Sequence, residues 1–188
     1  MINKLTTYII CGGKSSRMGS DKASMLFNEQ SFLSHIIKAC SKLDAPIKLV
    51  SSLTQHKNLE YSIVPDLKKE KGPVCGITSA LSETNTSLNL ILSCDIPLIK
   101  YNLISWLINQ HSANYDVTII SHMSKKMPLI GVYNASCSKI FKTHLKNQQL
   151  KLMNVLNDLK VNYVEVPKKW SLQITNINTL EDLKAVQL

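Results

Sequence analysis

The chain has 188 residues, of which 44% are hydrophobic and 19% are charged, so its length fits about one domain and its composition excludes a disordered or fibrous protein. Because its longest apolar runs fall well short of the ~18 residues of a membrane helix and its first residues do not resemble a signal peptide, we expect a cytoplasmic protein with no membrane partner. The formal net charge of +9 comes from lysines scattered along the chain, which favours an anionic small molecule, such as a nucleotide, over nucleic acid.

Strand-like and helix-like segments alternate along the chain. Apolar runs predict a strand over 6–11 and, after a helix capped by Ser31 and closed by Pro46, a second strand over 47–50. The remaining segments follow in this order: strand 63–64, helix 74–82, strand 88–94, helix 101–110, strands 117–121 and 129–133, helices 136–145 and 150–159, strand 163–166, and a helix from Thr179. This alternation predicts a single-domain α/β fold with a mainly parallel central sheet and helices on both faces. In such a sheet, ligands bind at the carboxyl ends of the strands, where the strand order reverses.

The five cysteines are an odd number and include no CxxC pair, which argues against a zinc or redox clip. We expect reduced and mostly buried thiols. The cysteines are Cys11, Cys40, Cys75, Cys94 and Cys137.

The loop after the first strand, residues 12–22, combines glycines, hydroxyl groups and cationic side chains. A Walker A loop is excluded because Tyr8 stands where its first glycine is required, and the dinucleotide fingerprint is excluded because Lys14 stands where its second glycine is required. The loop also holds Arg17, the one arginine among the 22 lysines and arginines. Its guanidinium matches phosphate oxygens two at a time. Together with Lys14 and Lys22, it predicts a cradle for a polyphosphate that neutralises the charge of a leaving pyrophosphate.

Two aspartates follow predicted strands. Asp66 comes after the third strand and Asp95 after the fourth, so both are expected at the ligand-binding edge of the sheet. Carboxylates at such positions are the ligands that Mg²⁺ takes together with substrate phosphates. Both acids could instead cap a helix or end a loop, and this alternative weighs more for Asp66. Gly72 and Gly76 mark a second segment where the backbone is expected to fold tightly.

Four segments, in this order, resemble the molybdenum cofactor guanylyltransferase family of the nucleotidylyltransferase superfamily. They are IICGGKSSRMGSDKA (9–23), VPDLKKEKGPVCGITSAL (64–81), SCDIP (93–97) and TNINTLEDL (175–183). The resemblance implies a single Rossmann-like nucleotidylyltransferase domain over residues 1–188. It further implies Mg²⁺-dependent transfer of GMP from GTP to the phosphate of molybdopterin, with release of pyrophosphate. Molybdoenzyme apoproteins or their chaperones are the implied protein partners.

The resemblance also assigns roles to individual residues. It implies nucleotide contacts from Ile10, Cys11, Gly12, Gly13, Lys22, Asp66 and Asp95. Arg17, Lys22 and Asp95 are the implied catalytic residues, with Arg17 on the β and γ phosphates and Asp95 on Mg²⁺. Asn176 and Asn178 are implied to lie toward the molybdopterin.

One departure from the family pattern leaves the choice of base open. The family usually carries an Asn after the second strand, whereas this chain has Ser51 and Ser52. A cytidylyltransferase of the same fold, acting on a pterin cofactor or another phosphorylated acceptor, is therefore an alternative. A second alternative is a nucleotide-binding adaptor without catalytic activity, against which the presence of Lys22 and Asp95 argues.

Overall fold

The computed structural model describes residues 5–11, 22–52, 60–67 and 72–187. Nine strands are present in these ranges: β1 Leu5–Ile10, β2 Leu26–Phe27, β3 Gln30–Ser31, β4 Ile47–Val50, β5 Ser62–Val64, β6 Leu88–Ser93, β7 Val117–His122, β8 Lys125–Asn134 and β9 Val161–Glu165. Seven of them form one sheet in the order β5-β4-β1-β6-β8-β7-β9, and β2 pairs with β3 in a separate hairpin.

Six α-helices connect or flank these strands in the described ranges: α1 Phe32–Cys40, α2 Gly72–Glu83, α3 Tyr101–Asn109, α4 Ser138–Lys146, α5 Leu152–Asn157 and α6 Leu180–Gln187. Short 3₁₀ turns cover 22–24, 41–43, 135–137 and 168–174. The Ser31 hydroxyl accepts a 3.0 Å hydrogen bond from the Ser34 amide, so the predicted cap of α1 is confirmed. None of the described helices is long and apolar enough to cross a membrane.

The predicted mainly parallel sheet is confirmed, with one strand running against the others. β8 is antiparallel to both of its neighbours, β6 and β7, whereas the other strand pairs of this seven-stranded sheet are parallel. A tight two-residue turn at Met123 and Ser124, both with positive φ, joins β7 directly to β8 and so requires the reversal.

Helices cover both faces of the sheet, as predicted. Side chains alternate along each strand, so Ile9 faces α1 and α3 in one hydrophobic layer, while Tyr8 faces α2, α4 and α5 in the other. All five cysteines are buried thiols that take part in no disulfide, as expected.

Gly131, in β8, has no room for a side chain. A Cβ here would lie 2.9 Å from the backbone oxygen of Thr118 on β7 and 3.1 Å from the Tyr133 ring. Because the closer atom belongs to the backbone of the neighbouring strand β7, this clash can be relieved only if β7 and β8 move apart. We expect Gly131→Ala to lower the free energy of unfolding by about 1–3 kcal/mol, measured from the urea midpoint at constant m-value. An unchanged midpoint would contradict this account of the packing.

Candidate active site

Four neighbouring parallel strands, β5, β4, β1 and β6, end at the same edge of the sheet. The backbone pairing continues one residue beyond three of these strands. The Cys11 amide donates to the Val50 oxygen at 2.9 Å, and the Cys94 amide donates to the Ile10 oxygen at 3.1 Å. The Ser51 amide similarly donates to the oxygen of the last β5 residue at 3.0 Å. The residues that leave the sheet at this edge therefore start from fixed positions.

The strand order reverses between β1 and β6. From β1 the chain proceeds outward to β4 and β5, and α2 then returns it to β6 on the other side of β1. Such a reversal opens a crevice between the two strands at their carboxyl ends. Ile10 and Cys11 border this crevice at the end of β1, and Asp95 borders it just after β6.

Asp95 is half-buried, and its carboxylate is oriented from within its own loop. The Ser93 hydroxyl donates a hydrogen bond to Asp95 Oδ1. No group of three or more His, Cys, Asp or Glu side chains surrounds a common point within the described residues. The site fits Mg²⁺, which can take one carboxylate and complete its coordination with water and substrate phosphates.

Asp66 lies at the same edge but far from Asp95. It follows β5, and three strand spacings, about 14 Å in total, separate β5 from β6. This separation of their strands argues against a single ion held by both aspartates. Partial burial raises the pKa of the Asp66 carboxyl, and a long hydrogen bond of 3.5 Å from the Ser52 hydroxyl opposes this shift. Next to it, the Leu67 amide donates to the Ser79 hydroxyl at 3.0 Å and ties this loop to α2.

Ile10 and Cys11 are almost fully buried at the end of β1. The Ile10 side chain packs against Gly76, where a Cβ would lie 3.1 Å from Ile10 Cγ2. Gly76 thus lies inside α2 and lets this helix approach β1. Gly72, whose φ is +67°, begins α2, whereas Gly76 lies inside this helix and marks its close approach to β1.

The loop between β1 and the first 3₁₀ turn is outside the described residues. Gly12, Gly13 and Arg17 belong to it, and their roles stay predictions. For Lys22 the structure describes the backbone, which begins the turn 22–24. The next residue, Ala23, is buried in the layer that contains α1, so the start of this turn is anchored to the core.

The C-terminal segment reaches the same edge of the sheet. The Ile177 amide donates to the Asp95 backbone oxygen at 2.8 Å, so Asn176 and Asn178 flank a residue bonded to the loop of Asp95. The Asp182 carboxylate accepts hydrogen bonds from the amides of Asn178 and Thr179 at 2.8 and 2.9 Å. This reciprocal cap at the start of α6 holds the segment in place.

Sequence reasoning did not assign roles to Ser93, Ser79 or Ile177. Ser93 precedes Asp95 by two residues, a spacing that allows a side-chain bond within the loop, so its position was a usable signal. Ser79 and Ile177 make contacts that only the folded chain brings together.

Comparison with known proteins places this geometry among nucleotidyl-transferring enzymes. A family model described as the MobA-like NTP transferase domain matches residues 7–162. A probable molybdenum cofactor guanylyltransferase from Flavobacterium johnsoniae is 39% identical over 184 residues, which cover 98% of this chain and 97% of that protein.

Solved structures share the fold. Molybdopterin-guanine dinucleotide biosynthesis protein A from Archaeoglobus fulgidus superposes with a TM-score of 0.83 at 22% identity, covering 96% of this chain and 95% of that one. A 4-diphosphocytidyl-2C-methyl-D-erythritol synthase from Anaerococcus prevotii gives a TM-score of 0.73 at 13% identity, covering 99% of each chain. At these identities the likeness concerns the fold alone.

Proposed function

This chain belongs to the MobA-like NTP transferase family, and from that premise we propose that it transfers GMP from GTP to the phosphate of molybdopterin and releases pyrophosphate. The observation that carries the proposal is the 39% identity to a probable molybdenum cofactor guanylyltransferase along nearly the whole of both chains. The crevice between β1 and β6, with a carboxylate at its border, supports the same chemistry.

The proposed reaction is a direct displacement. The molybdopterin phosphate attacks the α-phosphorus of GTP, a new P–O bond forms, and pyrophosphate leaves with the electron pair of the broken bond. No covalent enzyme intermediate is required, because alignment and neutralisation of charge lower the barrier.

Asp95 is the residue we propose to hold Mg²⁺, and Ser93 fixes the direction of its carboxylate. Bound there, Mg²⁺ would offset negative charge on the triphosphate. Lys22 is proposed to neutralise charge near the α-phosphate, and Arg17 to bind the β and γ phosphates through paired hydrogen bonds.

The nucleotide is proposed to lie over the ends of β1, β4 and β5, with contacts from residues 10–13 and from Asp66. The acceptor is proposed to approach from the other side of Asp95, where Asn176 and Asn178 flank Ile177. Delivery of the product to molybdoenzyme apoproteins or their chaperones is part of this proposal.

The base preference tests the proposal directly. Guanine presents a carbonyl acceptor at O6 and donors at N1 and N2, and we propose that backbone groups of residues 10–13 match this pattern, whereas adenine and cytosine would leave such groups unpaired. We expect kcat/KM for GTP to exceed the values for CTP and ATP by at least ~10-fold. The measurement is molybdopterin-dependent pyrophosphate release with each nucleotide, alone and in competition.

The other outcomes separate the alternatives. A preference for CTP would identify a cytidylyltransferase. Binding of nucleotide without pyrophosphate release, with any of the three nucleotides, would identify a non-catalytic adaptor.

A further inference from the structure

A small hydrophobic cluster, separate from the two main layers, joins three distant parts of the chain. Its buried members are Phe27, Phe32 and Ile177. Partly buried residues pack around them: Met25, Leu98, Leu183 and Val186. We call this set the C-terminal cluster. It connects the β2–β3 hairpin, the loop that follows Asp95, and the segment that leads into α6.

Ile177 connects two of these parts by two different groups. Its side chain is fully buried in the C-terminal cluster, which it shares with Phe27 and Phe32. Its backbone amide donates to the Asp95 oxygen at 2.8 Å. Since the cap formed by Asp182 fixes the residues directly after it, Ile177 has little freedom to follow a moving neighbour.

The hairpin side of the cluster leads to Lys22. The turn 22–24 runs almost directly into β2, which ends at Phe27. The Phe32 amide donates to the Met25 oxygen at 2.8 Å, and His35 Nε2 lies 2.7 Å from the Phe27 oxygen. The hairpin is therefore tied to the start of α1, and a displacement of Phe27 would be transmitted to the turn that begins at Lys22.

We propose that Ile177 is a positioning residue for nucleotidyl transfer, which holds the Asp95 loop and the turn of Lys22 in a fixed relation. The proposal rests on the proposed function, because it assigns both residues to the same reaction. A loss of this side chain loosens the two backbone segments that carry Asp95 and Lys22, which are proposed to act mainly in the transition state. It therefore lowers kcat more than it changes the KM for GTP.

The test compares Ile177→Ala with Ile119→Ala, which removes the same atoms from a fully buried position in the opposite layer, on β7. We expect kcat of Ile177→Ala to fall about 10-fold below that of the control, since displacements of about 1 Å can cost up to ~100-fold. The KM for GTP should change by less than ~3-fold. Ile177→Val, which keeps most of the packing, should restore most of the loss.

A second readout does not depend on activity. Amide hydrogen exchange in segments 22–31 and 93–98 should accelerate together in Ile177→Ala and stay at the wild-type rate in Ile119→Ala. Equal losses of kcat in the two variants, with no difference in exchange, would overturn the proposal.

If Ile177→Ala does not fold, Leu183→Ala replaces it as the test variant, because it loosens the same cluster from α6. The same changes in kcat, in the KM for GTP and in exchange are then expected. If the wild-type protein shows no molybdopterin-dependent turnover, the proposed function fails, and the exchange rates still decide whether Ile177 links the two segments.

Discussion

Asp95→Asn is expected to lower the turnover number at least ~100-fold, because charge stabilisation at a metal-assisted site contributes several kcal/mol. The substitution keeps the shape of the side chain and an oxygen that can accept from the Ser93 hydroxyl, so the loop should keep its conformation. The melting temperature without ligand should therefore change little. Pyrophosphate release at increasing Mg²⁺ concentrations is the measurement.

Asp44→Asn is the matched control. Asp44 is exposed between α1 and β4, at the opposite edge of the sheet, and its positive φ of 50° suits Asn as well as Asp. The Asp44→Asn substitution removes the same charge far from the crevice, so this variant should retain full activity. Near-normal turnover of Asp95→Asn in saturating Mg²⁺ would remove Asp95 from the metal site.

Lys22→Ala is expected to reduce kcat by about 100-fold, the size of effect seen when one preorganised charge or donor is removed from a reacting phosphate or acyl group. The ammonium group is proposed to stabilise charge on the α-phosphate during attack. The buried neighbour Ala23 anchors the turn, so the backbone should stay in place after the substitution. Single-turnover kinetics with pre-bound GTP would measure the chemical step itself.

Lys142→Ala controls for the loss of one positive charge from a protein with a net charge of +9. Lys142 is exposed on α4, on the face of the sheet opposite to α1 and α3. The Lys142→Ala substitution should leave the single-turnover rate unchanged. If Lys22→Ala were no slower than Lys142→Ala, then Lys22 would contribute only to the general positive field.

Most of the fold could be predicted because buried strands and amphipathic helices leave strong apolar patterns. The β2–β3 hairpin was missed, since its turn uses Asn28 and Glu29 at positive φ, without the glycine that usually marks such a turn. The strand at 129–133 was predicted, but it is longer, Lys125–Asn134, and antiparallel. Its direction depends on the turn at Met123 and Ser124, which also lacks a glycine.

The sequence alone predicts at which edge of the sheet the site lies, but not how its residues are arranged there. Asp66 and Asp95 each follow a parallel strand, so their shared edge follows from local sequence. The distance between the two strands that they follow cannot be read from local sequence, because it depends on the order of strands in the sheet. The contact between Ile177 and Asp95 likewise depends on where the C-terminal segment packs in the folded chain.

The hydrogen bond from Ile177 to Asp95 also has a consequence for the order of folding. It joins residues about 80 positions apart, and the sequence separation between Ile177 and its partners in the β2–β3 hairpin is larger still. Contacts of such long sequence separation form late, because a large loop must close before they are made. During synthesis the seven strands of the sheet, which end at Glu165, leave the ribosome before Ile177 does. The nascent chain can therefore build its central sheet first and complete the border of the crevice only when its last helix docks.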